Sequence, residues 1–270
     1  MKINDLLVKE DIPLLTKKII LSDILNLTIP EISLNKEKQL TKKEYKSYQK
    51  KINKIKNNIP VQYVLGHTNF YGYEFLINKN VLIPRPETET LVYEALNIIK
   101  NNFTNPNIIE VGTGSGIIPI TIKKNIESNI TSTDISKKAL KIAKKNAKEN
   151  KVKINFIHTN ILKNIKGKFD ILISNPPYIS KNEKIEDIVY NNEPHLALFA
   201  EDDGLYFYKK ILEQSKKILN KKNIIIFEIG KDQSKILTKI VKNYYQEAKI
   251  ITKKDNNNFD RILIILNNIE

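Results

Sequence analysis

Ile108-Ile109-Glu110-Val111-Gly112-Thr113-Gly114-Ser115-Gly116 is the stretch that decides the fold of this chain. Ile108–Val111 is short and apolar, as is typical of a buried strand, and the glycines then open a helix predicted for Gly116–Lys124. Glycine lets the backbone turn tightly and lets a ligand approach the N–H groups at a helix start. The stretch therefore predicts a strand, a ligand-binding turn and a helix.

Strands and helices alternate along the rest of the chain. Further strands are predicted over Ile130–Thr133, Ile154–His158, Ile171–Ser174, Asn223–Ile229, Ala248–Lys253 and Arg261–Leu266. Helices are predicted over Glu87–Lys100, Ser136–Asn150, Asp203–Leu219 and Gln233–Tyr245. Such alternation is typical of a mainly parallel, doubly wound α/β sheet. Lys254–Asp260 is too short for a crossover helix, so the last two strands are expected to pair antiparallel at the end of the sheet.

Residues 1–59 have a different pattern, which predicts a small all-helical domain. Ser22 and Thr41 are predicted helix N-caps, and Thr41-Lys42-Lys43-Glu44 fits a capping box. The helix that follows, up to Lys56, is very basic. A set of apolar residues at helical spacing predicts a buried face, and it consists of Ile20, Leu21, Ile24, Leu25 and Leu27.

A third pattern separates these two parts. Pro60 ends the helical stretch, and Gln62–Ile83 is aromatic and β-like, with Gly66 and Gly72 as turn points. Residues 60–84 are therefore predicted to form a β-hairpin linker. The predicted domains on either side are 1–59 and 85–270.

Polar side chains follow two of the predicted strands, at the edge where ligands collect in such sheets. Asp134 ends the strand after the glycines, where a carboxylate can accept both ribose hydroxyls of an adenosine. Asn160 can accept an N–H from an adenine amino group, and Ile161 can pack on the adenine face. The glycines lack a pyrophosphate-type third glycine, which favours S-adenosylmethionine over NAD. A structural turn, and a plain loop at Asn160, are the alternatives.

Asn175-Pro176-Pro177-Tyr178 is the most specific motif, and it follows the apolar strand Ile171–Ser174. The Asn175 side-chain oxygen and the Pro176 carbonyl can each accept one N–H of a planar NH2 group. Both prolines have a fixed φ and no N–H, so the loop is stiff. With the glycine-rich turn, this motif predicts methyl transfer from S-adenosylmethionine to an amide or amino nitrogen on a seven-stranded, Rossmann-like methyltransferase sheet.

Composition restricts the remaining possibilities. The 270-residue chain has a net charge of +15 and no cysteine, so disulfides, thiolate metal sites and a cysteine nucleophile are excluded. The charge suits an anionic partner, but lysine is spread out and no arginine cluster occurs, which favours a compositional bias. No signal peptide or membrane-spanning segment is predicted, so we expect a cytoplasmic protein without a membrane partner.

No metal site is predicted. His67, His158 and His195 are far apart in sequence and lack metal-ligand spacing. Glu201-Asp202-Asp203 is interpreted as the polar start of a helix, where negative charge suits the helix dipole.

Together these motifs resemble the HemK/PrmC family, the protein-(glutamine-N5) methyltransferases of peptide chain release factors. The resemblance covers nearly the whole chain. The segments that carry it are Pro60–Gly66, Phe70-Tyr71-Gly72, Val81-Leu82-Ile83-Pro84-Arg85-Pro86-Glu87-Thr88-Glu89, Ser174–Ile179, Glu193-Pro194-His195-Leu196-Ala197-Leu198 and Asp203-Gly204-Leu205.

The resemblance implies a helical substrate-recognition domain at 1–59, a hairpin, and an S-adenosyl-L-methionine-dependent methyltransferase domain. The implied substrate is the glutamine of the Gly-Gly-Gln loop of class 1 release factors. Implied catalytic residues are Asn175, Pro176 and Tyr178, and Pro177 completes the substrate-binding set. Implied cofactor-binding residues are Gly112, Thr113, Gly114, Ser115, Gly116, Asp134 and Asn175, to which the residue pattern adds Asn160 and Ile161.

The chain departs from the family pattern at two positions. Glu110 stands where the family usually has Asp, and Asn160 stands where it usually has an acidic residue. We expect a monomer without a stable nucleic-acid complex. Two alternatives stay open at this point: an adenine or cytosine amino methyltransferase acting on DNA or RNA, and a non-catalytic, basic RNA-binding protein with a vestigial cofactor fold.

Overall fold

The computed structural model describes residues 1–9 and 11–269, which form two compact units. The first unit contains Met1–Thr68 together with Glu186–Asn192. The second contains Asn69–Ile185 together with the chain from Glu193 onward. The division at Thr68 falls inside the segment predicted to be a linker. No helix within the described residues is long and apolar enough to cross a membrane.

The first unit is helical. Its helices are α1 (Ile3–Val8), α2 (Leu14–Leu25), α3 (Ile29–Leu34), α4 (Lys42–Lys56) and α5 (Val61–Leu65). The predicted apolar face is confirmed, because Ile20 and Leu21 are fully buried and the other members of the set pack against the same core. This core also contains Ile3, Ile32 and Tyr48.

The predicted caps of the first unit have different outcomes. Thr41 is the N-cap of α4, and its hydroxyl accepts from the Glu44 N–H while the Glu44 carboxylate accepts from the Thr41 N–H. The predicted cap at Ser22 is wrong. Ser22 lies inside α2 and donates to the Leu27 carbonyl at 2.5 Å, across the C-terminal end of that helix. A serine hydroxyl can satisfy a helix end from within the last turn as well as from the N-cap.

The segment predicted to be β-like is only partly extended. Strands β1 (His67–Phe70) and β2 (Tyr73–Leu76) form a hairpin with Gly72 at its turn. The residues before them form α5 instead, because Pro60 presets the N-cap conformation and Gly66 ends the helix in the left-handed region with φ 86°.

The second unit contains a seven-stranded sheet with helices on both faces. The sheet strands are β3 (Asn107–Val111), β4 (Asn129–Asp134), β5 (Asn155–His158), β6 (Phe169–Ser174), β9 (Leu219–Glu228), β10 (Lys249–Lys254) and β11 (Asp260–Asn267). A separate parallel pair consists of β7 (Ile179–Ser180) and β8 (Phe199–Ala200). The helices that follow α5 are α6 (Pro86–Asn102), α7 (Ile117–Asn125), α8 (Lys137–Glu149), α9 (Asp187–Asn192, in the first unit), α10 (Tyr206–Ser215) and α11 (Ser234–Tyr244).

Strand order in the sheet is β10-β11-β9-β6-β3-β4-β5. The chain therefore enters at the centre with β3, runs to one edge, and returns to build the other half, which confirms the doubly wound prediction. The predicted antiparallel pairing of the last two strands is also confirmed. The antiparallel strand is β11, which lies between β9 and β10 rather than at the edge of the sheet.

The sheet separates two apolar cores. Successive strand residues alternate between them: Ile109, Leu172 and Ile225 belong to the core that contains α10 and α11, while Ile108 and Ile171 belong to the core that contains α6 and α7. This alternation follows from the two-residue period of a strand. Because the central strands run parallel, the loops that follow them meet at one edge of the sheet, at the carboxyl ends of these strands.

The predicted helix over Asp203–Leu219 is too long at both ends. Asp202, Asp203 and Gly204 all have φ between 51° and 83°, which no right-handed helix allows, so α10 begins at Tyr206. Leu219 belongs to β9, where it pairs with Phe169 of β6. Burial in the sheet decides the conformation of Leu219, which local propensity did not reveal.

Candidate active site

A cavity of about 320 Å³ opens at the carboxyl ends of β3, β4 and β6. This is the edge of a doubly wound sheet at which ligands bind. Ten of the predicted site residues line it, and they are Gly112, Thr113, Gly114, Ser115, Asp134, Asn160, Ile161, Asn175, Pro176 and Pro177. The structure thus brings together the two motifs that the sequence presents as separate features. Gly116 and Tyr178 lie beside the cavity but do not line it.

Residues 112–116, here called the glycine turn, cross from β3 to α7. The Gly112 and Thr113 N–H groups donate to the Thr133 carbonyl at 2.9 and 3.0 Å. The three glycines have φ of 79°, 55° and 85°, which L residues rarely adopt. At Gly114 a β-carbon would meet nothing within 4 Å, so this part of the turn has room for a ligand.

Gly116 has a packing role instead. A β-carbon there would lie 3.2 Å from the Ala143 β-carbon and 3.0 Å from the Ile120 side chain. The glycine therefore allows α7 to approach α8 closely. Its predicted contact with a cofactor remains a prediction, since its place in the structure is behind the turn.

Asp134 ends β4 and faces the glycine turn. One carboxylate oxygen accepts from the Gly114 N–H at 2.9 Å and the other accepts from the Ser136 N–H at 2.7 Å. Burial raises the pKa of Asp134, and the backbone hydrogen bonds oppose that rise. A carboxylate has about four lone-pair positions, so two remain for hydroxyl donors. These acceptors, beside the open space at Gly114, suit the ribose of an adenosine, so the residues present fit S-adenosylmethionine.

Asn160 and Ile161 line the same cavity after β5. Asn160 is exposed, whereas Ile161 is 8% exposed and packs in the core that contains α10. Ile161 has φ 55°, an uncommon conformation for a β-branched residue. Strained backbone of this kind is found at ligand sites, where surrounding contacts hold it. An amide acceptor and an apolar side chain are thus next to each other, as expected for the edge and face of an adenine.

Residues 175–178, here called the Asn-Pro-Pro-Tyr loop, continue directly from β6. The Asn175 Nδ2 atom donates to the Thr88 hydroxyl at 3.2 Å. The Thr88 hydroxyl in turn donates to the Glu228 carboxylate at 2.7 Å. At the other end of the loop, the Tyr178 carbonyl accepts from the Gln233 Nε2 atom at 3.2 Å. The loop is therefore anchored by side chains from α6, β9 and the start of α11.

The Tyr178 side chain points away from the cavity. Its ring packs against the core that contains α10 and α11, and its hydroxyl lies 3.4 Å from the second Glu228 oxygen. Burial raises the pKa of Tyr178, and the neighbouring Glu228 adds to that rise, so the phenol stays protonated. The structure gives Tyr178 a place behind the loop, while its predicted contact with a substrate amide remains a prediction.

Thr88 and Glu228 were not among the predicted site residues. The available signal was the Ile-Pro-Arg-Pro-Glu-Thr-Glu segment, which contains Thr88. A second missed pair joins two further motif segments: Arg85 contacts Glu193 at 2.5 Å, and the other Glu193 oxygen accepts from the Ile83 N–H at 3.0 Å. Around this pair, the cavity wall includes Pro84, Arg85, Pro194 and Leu196.

Glu110 lies under the glycine turn and is 1% exposed. Neither of its carboxylate oxygens has a hydrogen-bond partner among the described residues. Burial raises its pKa to about 8, while the hydroxyls of Thr113 and Ser132, which are close to the carboxyl but outside hydrogen-bond geometry, oppose that rise. Glu110 is therefore mostly a neutral carboxylic acid at neutral pH.

Comparisons with known proteins show which family the chain belongs to. Residues 91–197 match the model for the methyltransferase small domain, and residues 3–66 match that for the PrmC N-terminal domain. The chain is 35% identical to a release factor glutamine methyltransferase from Streptococcus pneumoniae, over 89% of this chain and 87% of that protein. It is 39% identical to a bifunctional methyltransferase from Rickettsia bellii, over 84% of this chain, and spans 47% of that longer protein.

Among solved structures, a methyltransferase from Pyrococcus furiosus superposes with a TM-score of 0.56 at 17% identity, covering 81% of this chain and 96% of that one. That likeness shows the fold alone. The identity to the Streptococcus pneumoniae protein extends over both units of the chain and nearly the whole of the relative. The chain therefore belongs to the release factor glutamine methyltransferase family.

Proposed function

We propose that this chain methylates the side-chain amide nitrogen of the glutamine in the Gly-Gly-Gln motif of class 1 release factors, with S-adenosylmethionine as methyl donor. The observation that carries the proposal is the meeting of the glycine turn and the Asn-Pro-Pro-Tyr loop in one cavity. One motif suits an adenosine and the other suits a planar NH2 group, and methyl transfer to nitrogen needs both.

The cofactor half of the cavity is formed by the glycine turn, Asp134, Asn160 and Ile161. Asp134 would accept the ribose hydroxyls, Asn160 would accept an adenine N–H, and Ile161 would pack on the ring. S-adenosylmethionine supplies an electrophilic sulfonium methyl group when bound there. The Asp134 carboxylate is already fixed by backbone hydrogen bonds, so little reorganisation of this acceptor is needed on binding.

The substrate half has to overcome the weak nucleophilicity of an amide, whose lone pair is delocalised into its carbonyl. Asn175 Oδ1 and the Pro176 carbonyl would each accept one amide N–H and so hold both hydrogens in place. The lone pair is then directed toward the cofactor half of the cavity. Orientation of this kind contributes several kcal/mol and reaches about 7–11 kcal/mol in well-aligned cases. The amide can lose its proton after alkylation, so a strong general base is not required.

The same loop suits the amino groups of adenine and cytosine, and this is the second candidate function. The net charge of +15 favours it. The family membership favours glutamine as the acceptor, because the chain matches release factor glutamine methyltransferases over most of their length. A steep salt dependence of activity on nucleic acid would support the second candidate.

We also propose that residues 1–59 recognise the release factor, that residues 60–84 are the linker, and that residues 85–270 carry the chemistry. The match of residues 3–66 to the PrmC N-terminal domain supports this division. We further propose a cytoplasmic monomer that forms no stable nucleic-acid complex. The absence of clustered arginine supports the last point.

Transfer of labelled methyl groups tests the proposal. Purified enzyme is incubated with labelled S-adenosylmethionine and one of four acceptors: a class 1 release factor, its Gln→Ala variant in the Gly-Gly-Gln motif, DNA or RNA. We expect label on the unsubstituted factor alone. Label on DNA or RNA would replace the proposal with the second candidate, and equal label on the Gln→Ala variant would exclude that glutamine as the acceptor.

A further inference from the structure

We infer that Thr88 and Glu228 determine which way the Asn175 amide faces, and that through Asn175 they make the cavity select a substrate amide over a carboxylate. Both are positioning residues, since they act through Asn175. The inference rests on the proposed function and assigns its selectivity to two residues outside the Asn-Pro-Pro-Tyr loop.

The sheet register places the three residues together. Ser174 of β6 pairs with Phe227 of β9, so the residues that follow them lie side by side: Asn175 directly after the end of β6, and Glu228 as the last residue of β9. Thr88 reaches this point from the first turn of α6. Thr88 and Glu228 are each 1% exposed, so water does not compete for their hydrogen bonds. The chain of contacts runs from Asn175 Nδ2 to Thr88 at 3.2 Å and from Thr88 to Glu228 at 2.7 Å.

Which atom donates in each of these two hydrogen bonds follows from the single proton on the Thr88 hydroxyl. An ionised carboxylate only accepts, so the single hydroxyl proton of Thr88 is used on Glu228. Thr88 then has only lone pairs to offer to Asn175. The Asn175 atom that faces Thr88 must therefore be the donor, Nδ2, and the acceptor Oδ1 is left for the substrate. The orientation of the Asn175 amide is thus fixed as long as Glu228 is ionised.

The charge state of Glu228 is set by the groups around it. Burial raises its pKa to about 7, with Glu87 adding to the rise, while Thr88, Tyr178 and Arg261 lower it. The Tyr208 hydroxyl donates to the Glu228 backbone carbonyl at 2.8 Å, so this residue is held from both sides. Glu228 is mainly ionised at pH 8, which is the pH at which the test is made.

The orientation has a direct consequence for selectivity. With Oδ1 toward the cavity, Asn175 accepts an N–H from glutamine and repels the oxygen of a glutamate. With the amide reversed, Asn175 would present an N–H, which suits glutamate and repels the glutamine NH2 group. A site built to hydrogen-bond one group discriminates strongly against a group that leaves its polar atoms unpaired.

The test uses three variants of the full chain at pH 8. Thr88→Val removes the hydroxyl at nearly constant volume, and Thr88→Ser retains it. Thr121→Val is the matched control, because Thr121 is also fully buried in a helix of the second unit but its hydroxyl has no hydrogen-bond partner in the described part of the chain. Three quantities are measured: the single-turnover rate on a release factor, the Kd for S-adenosylmethionine, and inhibition by the release factor whose motif glutamine is replaced by glutamate.

We expect Thr88→Val to lower the single-turnover rate by about 10- to 100-fold, the effect of one hydrogen bond to a charged group. Thr88→Ser and Thr121→Val should stay within about threefold of the unsubstituted enzyme, and all Kd values for the cofactor should agree within the same factor. The glutamate-substituted factor should inhibit Thr88→Val at least several times more strongly than it inhibits the unsubstituted enzyme. That gain of inhibition is not expected of a merely destabilised protein.

The inference is overturned if Thr88→Val keeps the normal rate, if Thr88→Ser is as slow as Thr88→Val, or if inhibition by the glutamate-substituted factor does not change. Failure of the unsubstituted enzyme to label the release factor would be a different result. It would overturn the proposed function, and the selectivity argument with it.

Discussion

The glycine turn and the Asn-Pro-Pro-Tyr loop face the same cavity but are held in place in different ways. The turn is held by its neighbours, since Gly114 donates to Asp134 at the end of the adjacent strand. The loop is held by Thr88, Glu228 and Gln233, which come from three other elements. The turn is therefore held within the consecutive β3-α7-β4 segment, whereas the loop depends on elements from distant parts of the chain.

Removing the Asn175 side-chain amide should have the largest effect. It should also distinguish the Asn-Pro-Pro-Tyr loop from the glycine turn most clearly. We expect Asn175→Ala to lower methylation about 100-fold or more, because the substrate NH2 group loses one of its two fixed acceptors. The Kd for S-adenosylmethionine should stay nearly unchanged, since the glycine turn is intact. Single-turnover labelling and calorimetric titration measure the two quantities. Near-normal turnover would exclude the assigned role of Asn175.

Substituting Gly204, which is distant in sequence, should displace the Asn-Pro-Pro-Tyr loop. A β-carbon at Gly204 would collide with the Tyr178 carbonyl and lie 2.8 Å from the Gln233 Nε2 atom, in addition to the strain of φ 83°. We expect Gly204→Ala to lower the free energy of unfolding by about 2–4 kcal/mol, combining left-handed strain with an overpacked contact.

Gly72→Ala is the matched control for this prediction. Gly72 has φ 78°, but a β-carbon there meets nothing within 4 Å, so only the strain of about 1–2 kcal/mol applies. Urea unfolding measures both values, and labelling should show a loss of activity only for Gly204→Ala. Equal effects of the two substitutions would mean that the contact with Tyr178 is unimportant.

Substitution in the glycine-turn region should have a smaller effect and the opposite signature. In Asp134→Asn, one backbone N–H at Gly114 or Ser136 would face an NH2 group instead of an oxygen. We expect the Kd for S-adenosylmethionine to rise about 10-fold, in line with one weakened charged hydrogen bond. The rate at saturating cofactor should stay close to normal. A reduced rate with unchanged Kd would contradict the assignment of cofactor binding to the glycine-turn region and of substrate orientation to the Asn-Pro-Pro-Tyr loop.

The last expected effect concerns the pH dependence of stability. The pKa of Glu110 is raised to about 8 in the folded protein, against 4.5 as its ordinary value. Between these values the unfolded chain has lost the proton and the folded one keeps it, so the free energy of unfolding falls as pH rises. The slope for one such group is at most about 1.4 kcal/mol per pH unit.

Glu110→Gln should remove this contribution, because an amide does not titrate. Urea unfolding between pH 5 and 8 should therefore give a flatter dependence for the variant, with higher stability than the unsubstituted protein at pH 8. Glu228, whose pKa is raised to about 7, contributes a similar falling slope in both proteins. An unchanged slope would mean that Glu110 is not protonated when buried.

The same contrast explains how much was predictable from sequence. The glycines of the turn and the Thr41 cap of α4 are indicated by residues a few positions apart, and both were predicted. The alternation of strands and helices gave the doubly wound sheet for the same reason. These features depend on local propensity and hydrophobic period, which a single sequence contains.

What was missed depends on contacts distant in sequence. Thr88 and Glu228 are 140 positions apart, and their meeting requires β9 to lie beside β6, a strand order that no local pattern specifies. The early start of β9 at Leu219 was missed for a related reason, since its partner is Phe169. Sequence thus identified the groups that face the ligands better than the groups that orient them.

The position of β9 after both motifs has a consequence for biosynthesis. A nascent chain elongated to Ser215 already contains the glycine turn, Asp134 and the Asn-Pro-Pro-Tyr loop, but not the strand that supplies Glu228. The glycine turn and Asp134 are therefore synthesised before Glu228, which holds the Asn-Pro-Pro-Tyr loop through Thr88. The proposed orientation of Asn175 would therefore require the synthesis of β9, so a product truncated before β9 would contain both motifs and Thr88 but would lack Glu228.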